Sequence, residues 1–196
     1  MFFPAEFILT MPVLADDSLE RARFHALLDE ARRCRACVGL LPFEPARSFR
    51  YRRWRACSRT ARVIACAWIG IAPETFYDAN AVALLPMVFC YPGRGKNGDA
   101  PPRRQCAPLW RDRILAHLSD VRLAMLVGTY AQAAVLGRGR MSHRVRDYRQ
   151  YLPSLFPLPH PSWRSQLWIQ QNPWVDSELL PTLRNAVAGA LSKEPV

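Results

Sequence analysis

Four cysteines in two spaced pairs constrain this chain most, because a common site for them would hold distant segments together. Cys34 and Cys37 form a C-x-x-C motif directly after a helix-like segment, and Cys90 and Cys106 lie sixteen positions apart in a basic, Pro- and Gly-rich stretch. Thiolates are soft ligands, and four of them complete a tetrahedral zinc site or hold an iron–sulfur cluster. The spacing therefore predicts a four-thiolate site, with zinc and a cluster both open.

The composition favours one folded domain with a polyanionic partner. A chain of 196 residues with 50% hydrophobic residues has room for one sizeable core. The net charge of +11 points to nucleic acid as the first partner to consider. The apolar start lacks a basic segment typical of a secretory signal, and no run reaches the length of a membrane span. We therefore predict a cytoplasmic monomer without membrane contact, where reducing conditions favour metal over disulfides.

Short apolar runs alternate with helical patterns along most of the chain. An amphipathic helix is predicted at 17–33, and further helices at 107–118, 129–136 and 175–191. The strands are predicted from the short apolar runs at 61–66, 82–89, 122–127 and 154–158. This order predicts a three-layer α/β/α domain with a short, mainly parallel four-stranded sheet. Ligands of such sheets gather beyond the carboxyl ends of the strands.

Two further features stay open on the sequence alone. An arginine-rich stretch at 50–62 contains no acidic residue, which is compatible with a solvated loop and equally with phosphate contact. The remaining cysteines, Cys57 and Cys66, lack ligand spacing and are predicted to be ordinary buried or loop residues.

The last predicted strand leads into the sequence His160-Pro161-Ser162, followed by Trp163 and Arg164. This segment resembles the second conserved motif of the uracil-DNA glycosylase superfamily, a loop that enters the minor groove beside an extruded nucleotide. The resemblance implies that His160 stabilises negative charge on the departing base, since a positioned donor lowers the barrier to N-glycosidic cleavage. It also implies that Ser162, Trp163 and Arg164 contact DNA.

The cysteine frame is similar to that of the iron–sulfur uracil-DNA glycosylases often called family 4, in a bacterial branch with an F-C-Y-P-G signature. The strand–Gly–helix segment LVGTYAQAAVL also resembles this family. The resemblance covers about residues 20–190. It implies a glycosylase-like domain at 17–192 preceded by an N-terminal extension at 1–16. It further implies a structural 4Fe–4S cluster on the four cysteines, with zinc as the alternative, and phosphate contacts from Arg94 and Lys96.

The chain departs from that family at its first motif. The segment ARVIAC runs almost directly into AWIGIAPETFYD, without the loop that positions the catalytic water or the aromatic residue that stacks on uracil. Pro86 stands where the family has a uracil-reading Asn, and a proline cannot supply that paired donor and acceptor. Two functions therefore remain open: a DNA repair glycosylase impaired at water positioning, and a catalytically inactive DNA-binding protein of the same fold.

Overall fold

Helices flank a short central sheet in the computed structural model of this chain, which describes residues 6–10, 18–39, 41, 65–78, 80–90, 92–96, 98–118, 121–161 and 163–192. The strands are β1 (Glu6–Thr10), β2 (Val82–Pro86), β3 (Arg94–Gly95), β4 (Gly98–Asp99), β5 (Leu123–Val127) and β6 (Leu155–Leu158). The first helices are α1 (Ser18–Arg32), α2 (65–69), α3 (Pro73–Phe76) and α4 (Asp112–Ala116), which a π-helical turn at Ala107–Arg111 precedes. The later helices are α5 (Gly128–Leu136), α6 (Met141–Arg146), α7 (Trp163–Gln170) and α8 (Leu180–Leu191), with a π-helical turn at Val175–Leu179 before α8.

The main sheet has the strand order β2-β1-β5-β6. β5 and β6 are parallel, whereas β1 is antiparallel to both β2 and β5. β2, β5 and β6 therefore run in one direction, and their carboxyl ends share one edge of the sheet. Because β1 runs the other way, its first residue, Glu6, lies at that same edge, opposite Pro86.

Each face of the sheet is covered by helices, because alternate residues of a strand point to opposite sides. In β5, Met125 belongs to the core formed with α2, α6, α7 and α8, whereas Leu126 belongs to the core formed with α1, α4 and α5. Both side chains are fully buried. This alternation confirms the predicted three-layer α/β/α class.

The predicted strands at 82–89, 122–127 and 154–158 correspond to β2, β5 and β6, and the predicted helices are also present. Two predictions need correction. Within the predicted strand 61–66, residues 65 and 66 begin helix α2, because Cys66 and Ile69 bury one side of a helical turn; residues 61–64 lie outside the described part. Moreover, the strand between β2 and β5 comes from 6–10, within the segment predicted as an extension before the domain.

The expectation of a mainly parallel sheet holds for the direction of three strands but not for the pairing. β1 makes two antiparallel pairings, and the β5–β6 pairing is parallel. The edge strands β2 and β6 each contain a proline, Pro86 and Pro157. A proline has no N–H to donate to a neighbouring strand, and an edge strand has an open side where no such donor is needed.

Candidate functional site at the carboxyl edge of the sheet

The four predicted ligand cysteines come from three separate segments. Cys34 and Cys37 lie in the turns directly after α1, Cys90 lies beyond the end of β2, and Cys106 immediately precedes the helical segment of α4. Cys37 and Cys106 are buried, whereas Cys34 and Cys90 are half-buried. None of these four cysteines forms a disulfide in the part of the chain that the structure describes.

Hydrogen bonds link these segments, because Phe89, next to Cys90, donates to Cys106, and Trp110, four residues after Cys106, donates to Cys34. Burial, together with smaller contributions from the other three cysteines, raises the pKa of Cys90 to about 11. Burial also raises the pKa of Cys106 to about 11, with smaller contributions from Cys37 and Cys34 and an opposing one from a backbone hydrogen bond. We call the four cysteines of these linked segments the cysteine cluster.

Two N–H groups donate hydrogen bonds to this cluster. The backbone N–H of Phe89 donates to Sγ of Cys106 at 3.3 Å, and the indole Nε1–H of Trp110 donates to Sγ of Cys34 at 3.2 Å. Burial likewise raises the pKa of Cys37, while the positive charge of Arg103 lowers it. Donors aimed at sulfur favour the thiolate form, which is the form that binds a metal.

The donor set fits a thiophilic metal or an iron–sulfur cluster in its chemistry. Four thiols, of which Cys34 and Cys106 accept N–H hydrogen bonds, match the ligand type and the kind of surrounding hydrogen bond that such a group requires. In the part of the chain that the structure describes, however, no group of three or more His, Cys, Asp or Glu side chains has metal-binding geometry. The cysteines are therefore gathered without the compact arrangement of ligands around an ion.

The loop after β6 places His160 at the same edge of the sheet. β6 ends at Leu158, and Pro159 leads into a half-buried His160, whose Nε2 atom is shielded from solvent. Pro161 is buried, and α7 begins at Trp163. Two strands lie between β2 and β6, so their ends are about 14 Å apart at the usual strand spacing of ~4.8 Å. The segment that leads to Cys90 and the loop of His160 thus follow the two outer strands at the same edge of the sheet.

The predicted DNA-contacting residues are described to different extents. Ser162 lies outside the described residues, as do the arginine-rich stretch at 50–62 and Cys57. Trp163 and Arg164 are described only as backbone in the first turn of α7. Cys66 is buried in the core between the sheet and α8, as the sequence predicted for a cysteine outside the cluster.

The segment between Cys90 and Cys106 contains a small hairpin. β3 pairs with β4 so that Arg94 lies opposite Asp99 in the register. Lys96 follows β3 in the turn and is exposed. The hairpin therefore holds one of the two predicted phosphate-contacting residues, Lys96, at the protein surface.

Sequence reasoning missed two residues of this edge. Trp110 lies four positions after Cys106, a helical spacing that brings its indole to the cluster. Gln132 is a fully buried polar residue within the largely apolar helix α5. Its Nε2 donates to the carbonyl oxygens of Leu158 at 2.9 Å and Leu126 at 3.4 Å, which joins α5 to the ends of two strands.

A family model described as the uracil DNA glycosylase superfamily matches residues 41–184. The match covers most of the chain, and the chain therefore belongs to this superfamily. Members of the superfamily act on DNA, and membership supports a function of the DNA glycosylase type. The helices that the structure describes include none long and apolar enough to cross a membrane.

Proposed function

We propose that the protein hydrolyses the N-glycosidic bond of uracil or a related damaged base in DNA. The observation that carries this proposal is the position of His160, directly beyond the carboxyl end of β6 in a member of this superfamily. An extruded base is the only form of the substrate that such an edge can receive, since the scissile bond is inaccessible within a duplex.

His160 is the residue that we propose for the chemical step. In the reaction the bond between C1′ of the sugar and the ring nitrogen breaks, and its electron pair goes to the departing base. An imidazole N–H placed at a base carbonyl oxygen stabilises this negative charge. Water then forms the new bond to C1′ and loses a proton to solvent. The partial burial of His160 supports this role, because a hydrogen bond to a developing charge is stronger away from water.

DNA would be held by the basic surface around this edge. Lys96 is exposed on the hairpin between two cluster cysteines, and the chain carries 27 lysines and arginines against 16 acidic residues. We propose phosphate contacts from Arg94, Lys96, Ser162 and Arg164, with Trp163 beside the extruded nucleotide. Such contacts predict binding that weakens steeply as salt concentration rises.

We further propose that Cys34, Cys37, Cys90 and Cys106 hold a 4Fe–4S cluster. When bound, the cluster would cross-link the end of α1 to the segments before and after the β3–β4 hairpin, a structural contribution. Thiols buried with raised pKa values support this proposal, because a cationic metal centre offsets the cost of their negative charge.

A catalytically inactive DNA-binding protein is the second candidate, and the direction of β1 favours it. At the centre of the carboxyl edge the chain enters β1 rather than leaving it, so this position does not supply a loop after a parallel strand. In the superfamily that the sequence resembles, the residue that positions water lies in such a loop. Loss of that positioning typically lowers the rate by about 10²-fold or more.

The test is base excision from a uracil-containing oligonucleotide, scored as abasic sites under single-turnover conditions. We expect cleavage by the wild type and a loss of about 10²–10³-fold in His160→Ala, as for removal of one charge-stabilising donor. His143→Ala is the matched control, because His143 is exposed on α6. Salt-sensitive DNA binding without any cleavage by wild type would establish the inactive alternative instead.

The cofactor is tested by iron, sulfide and zinc content of protein purified without oxygen. We expect about four iron and four sulfide per chain, lost in Cys106→Ala. Cys66→Ala is the control, because Cys66 is an equally buried cysteine in the other core. One zinc per chain with no sulfide would show that the site holds zinc and not an iron–sulfur cluster.

A further inference from the structure

Gln132 is a fully buried polar side chain with a specific attachment to the edge that carries His160. Among the described residues, the buried polar or charged side chains are Gln132 and Arg144. Arg144 donates to the carbonyl oxygens of Leu136 and Gly137 at the carboxyl end of α5. Gln132 lies in the second turn of α5 and donates instead to backbone oxygens of β5 and β6.

The hydrogen bond from Gln132 takes over where the backbone hydrogen bonds between β5 and β6 end. Val127 is the last residue of β5 and pairs with Leu158, the last residue of β6. The chain then turns into α5 at Gly128, whose φ of +86° suits a residue without a side chain. β5 therefore offers no further strand N–H beyond this point, and Nε2 of Gln132 binds the Leu158 carbonyl at 2.9 Å.

The anchored carbonyl belongs to the last residue of β6, two positions before His160. Pro159 and Pro161 lack backbone N–H groups, so neither can donate a main-chain hydrogen bond to the sheet. A shift of the Leu158 carbonyl would therefore be transmitted to His160 over only two residues. We propose that Gln132 is a positioning residue, which sets the place of the His160 imidazole against the bound base. This inference rests on the proposed glycosylase function.

The surroundings of the Gln132 amide allow a substitution that removes its hydrogen bonds with little effect on the stability of the fold. Its Oε1 is shielded from solvent and has no hydrogen-bond partner among the described residues, so keeping it buried is unfavourable. In Gln132→Met the side chain keeps its length and the unfavourable oxygen is removed together with the two hydrogen bonds. These effects oppose each other, and the melting temperature should change little while the loop loses its anchor.

The experiment compares wild type, Gln132→Met and a control, Gln150→Met, whose glutamine is exposed in the turn before β6. We expect Gln132→Met to lower kcat for uracil excision by about tenfold or more with KM nearly unchanged, because a misplaced catalytic group affects the chemical step. The control should retain the kcat of wild type. An unchanged kcat in Gln132→Met, or a fall of kcat in proportion to lost folded protein, would overturn the inference.

A second measurement judges the inference even without glycosylase activity. The chain has four histidines, and His160→Ala assigns the imidazole NMR signals of His160. We expect Gln132→Met to shift and broaden these signals, while those of His25, His117 and His143 stay in place. Unchanged His160 signals would refute the positioning role. An inactive wild type whose His160 signals nevertheless respond would refute the proposed function and leave the positioning role standing.

Discussion

Arg144 gives the sharpest prediction on the stability of the domain. Its side chain is 7% exposed, and its Nη2 donates to the carbonyl oxygens of Gly137 at 2.8 Å and Leu136 at 3.2 Å. Leu136 ends α5 and Gly137 caps it, and carbonyls at this end of a helix lack partners within the helix. The guanidinium therefore satisfies the carboxyl end of the helix that carries Gln132 and favours it by its charge.

The substitution Arg144→Met removes the guanidinium and keeps a long side chain of similar helix propensity. Because one charged donor binds both carbonyls, the two hydrogen bonds together should contribute little more free energy than a single one. A hydrogen bond to a charged group contributes about 1.5–3 kcal/mol, and the unfolding free energy should fall by about 2–3 kcal/mol. For a chain of this size that corresponds to a decrease in melting temperature of about 5–10 °C.

The assay is thermal unfolding followed by circular dichroism, with denaturant unfolding as a second measure. Arg140→Met is the matched control, because Arg140 is exposed immediately before α6 and should tolerate the change within about 0.5 kcal/mol. A decrease below about 2 °C in Arg144→Met, or an equal decrease in both variants, would refute the argument from the two carbonyl groups.

Three further predictions concern single contacts. Trp110→Phe removes the indole N–H that donates to a cluster sulfur, and we expect faster loss of iron in air, followed by absorbance, with unchanged loss contradicting the role. Tyr148→Phe removes the 3.0 Å hydrogen bond to Thr182 but retains the buried ring, and it should lower the free energy of unfolding by about 1 kcal/mol. In a Thr182→Val background the same substitution should lower it by less. An equal decrease in both backgrounds would show that the two hydroxyl groups do not interact. Arg113 lowers the pKa of Glu30 by a hydrogen bond to its carboxylate. The small stability difference between wild type and Glu30→Gln should therefore be present at neutral pH and disappear as the pH falls through that lowered pKa. A difference that persists in acid would contradict this linkage.

Much of the layered fold could be predicted from local pattern. The run at 122–127 was predicted as a strand and forms Leu123–Val127, because a short run buried on both faces is apolar at every position. The segment at 175–191 has the helical period of a surface-packed helix and forms the π-helical turn and α8. The four-thiolate site inferred from the cysteine spacing stays a prediction, because no group of described side chains has metal-binding geometry.

The parts that could not be predicted depend on contacts between distant segments. The run at 6–10 has the same local character as any apolar start, and its place in the sheet is decided by β2 and β5. The run at 61–66 is too short for its period to separate a strand from a helical turn. Gln132 and Trp110 belong to the edge through tertiary packing, because neither an amide in a helix nor a tryptophan near a cysteine has a distinctive sequence pattern.

The antiparallel β1 has a consequence for how the domain assembles. Glu6–Thr10 leaves the ribosome before the other strands of the sheet, yet its two pairings can be completed only after both Val82–Pro86 and Leu123–Val127 have been made. Until it docks, β2 and β5 face each other across an empty strand position, with unpaired backbone groups that favour aggregation. The order of synthesis is thus the reverse of the order of assembly at the centre of the sheet, and trimming this short strand would divide the sheet in two.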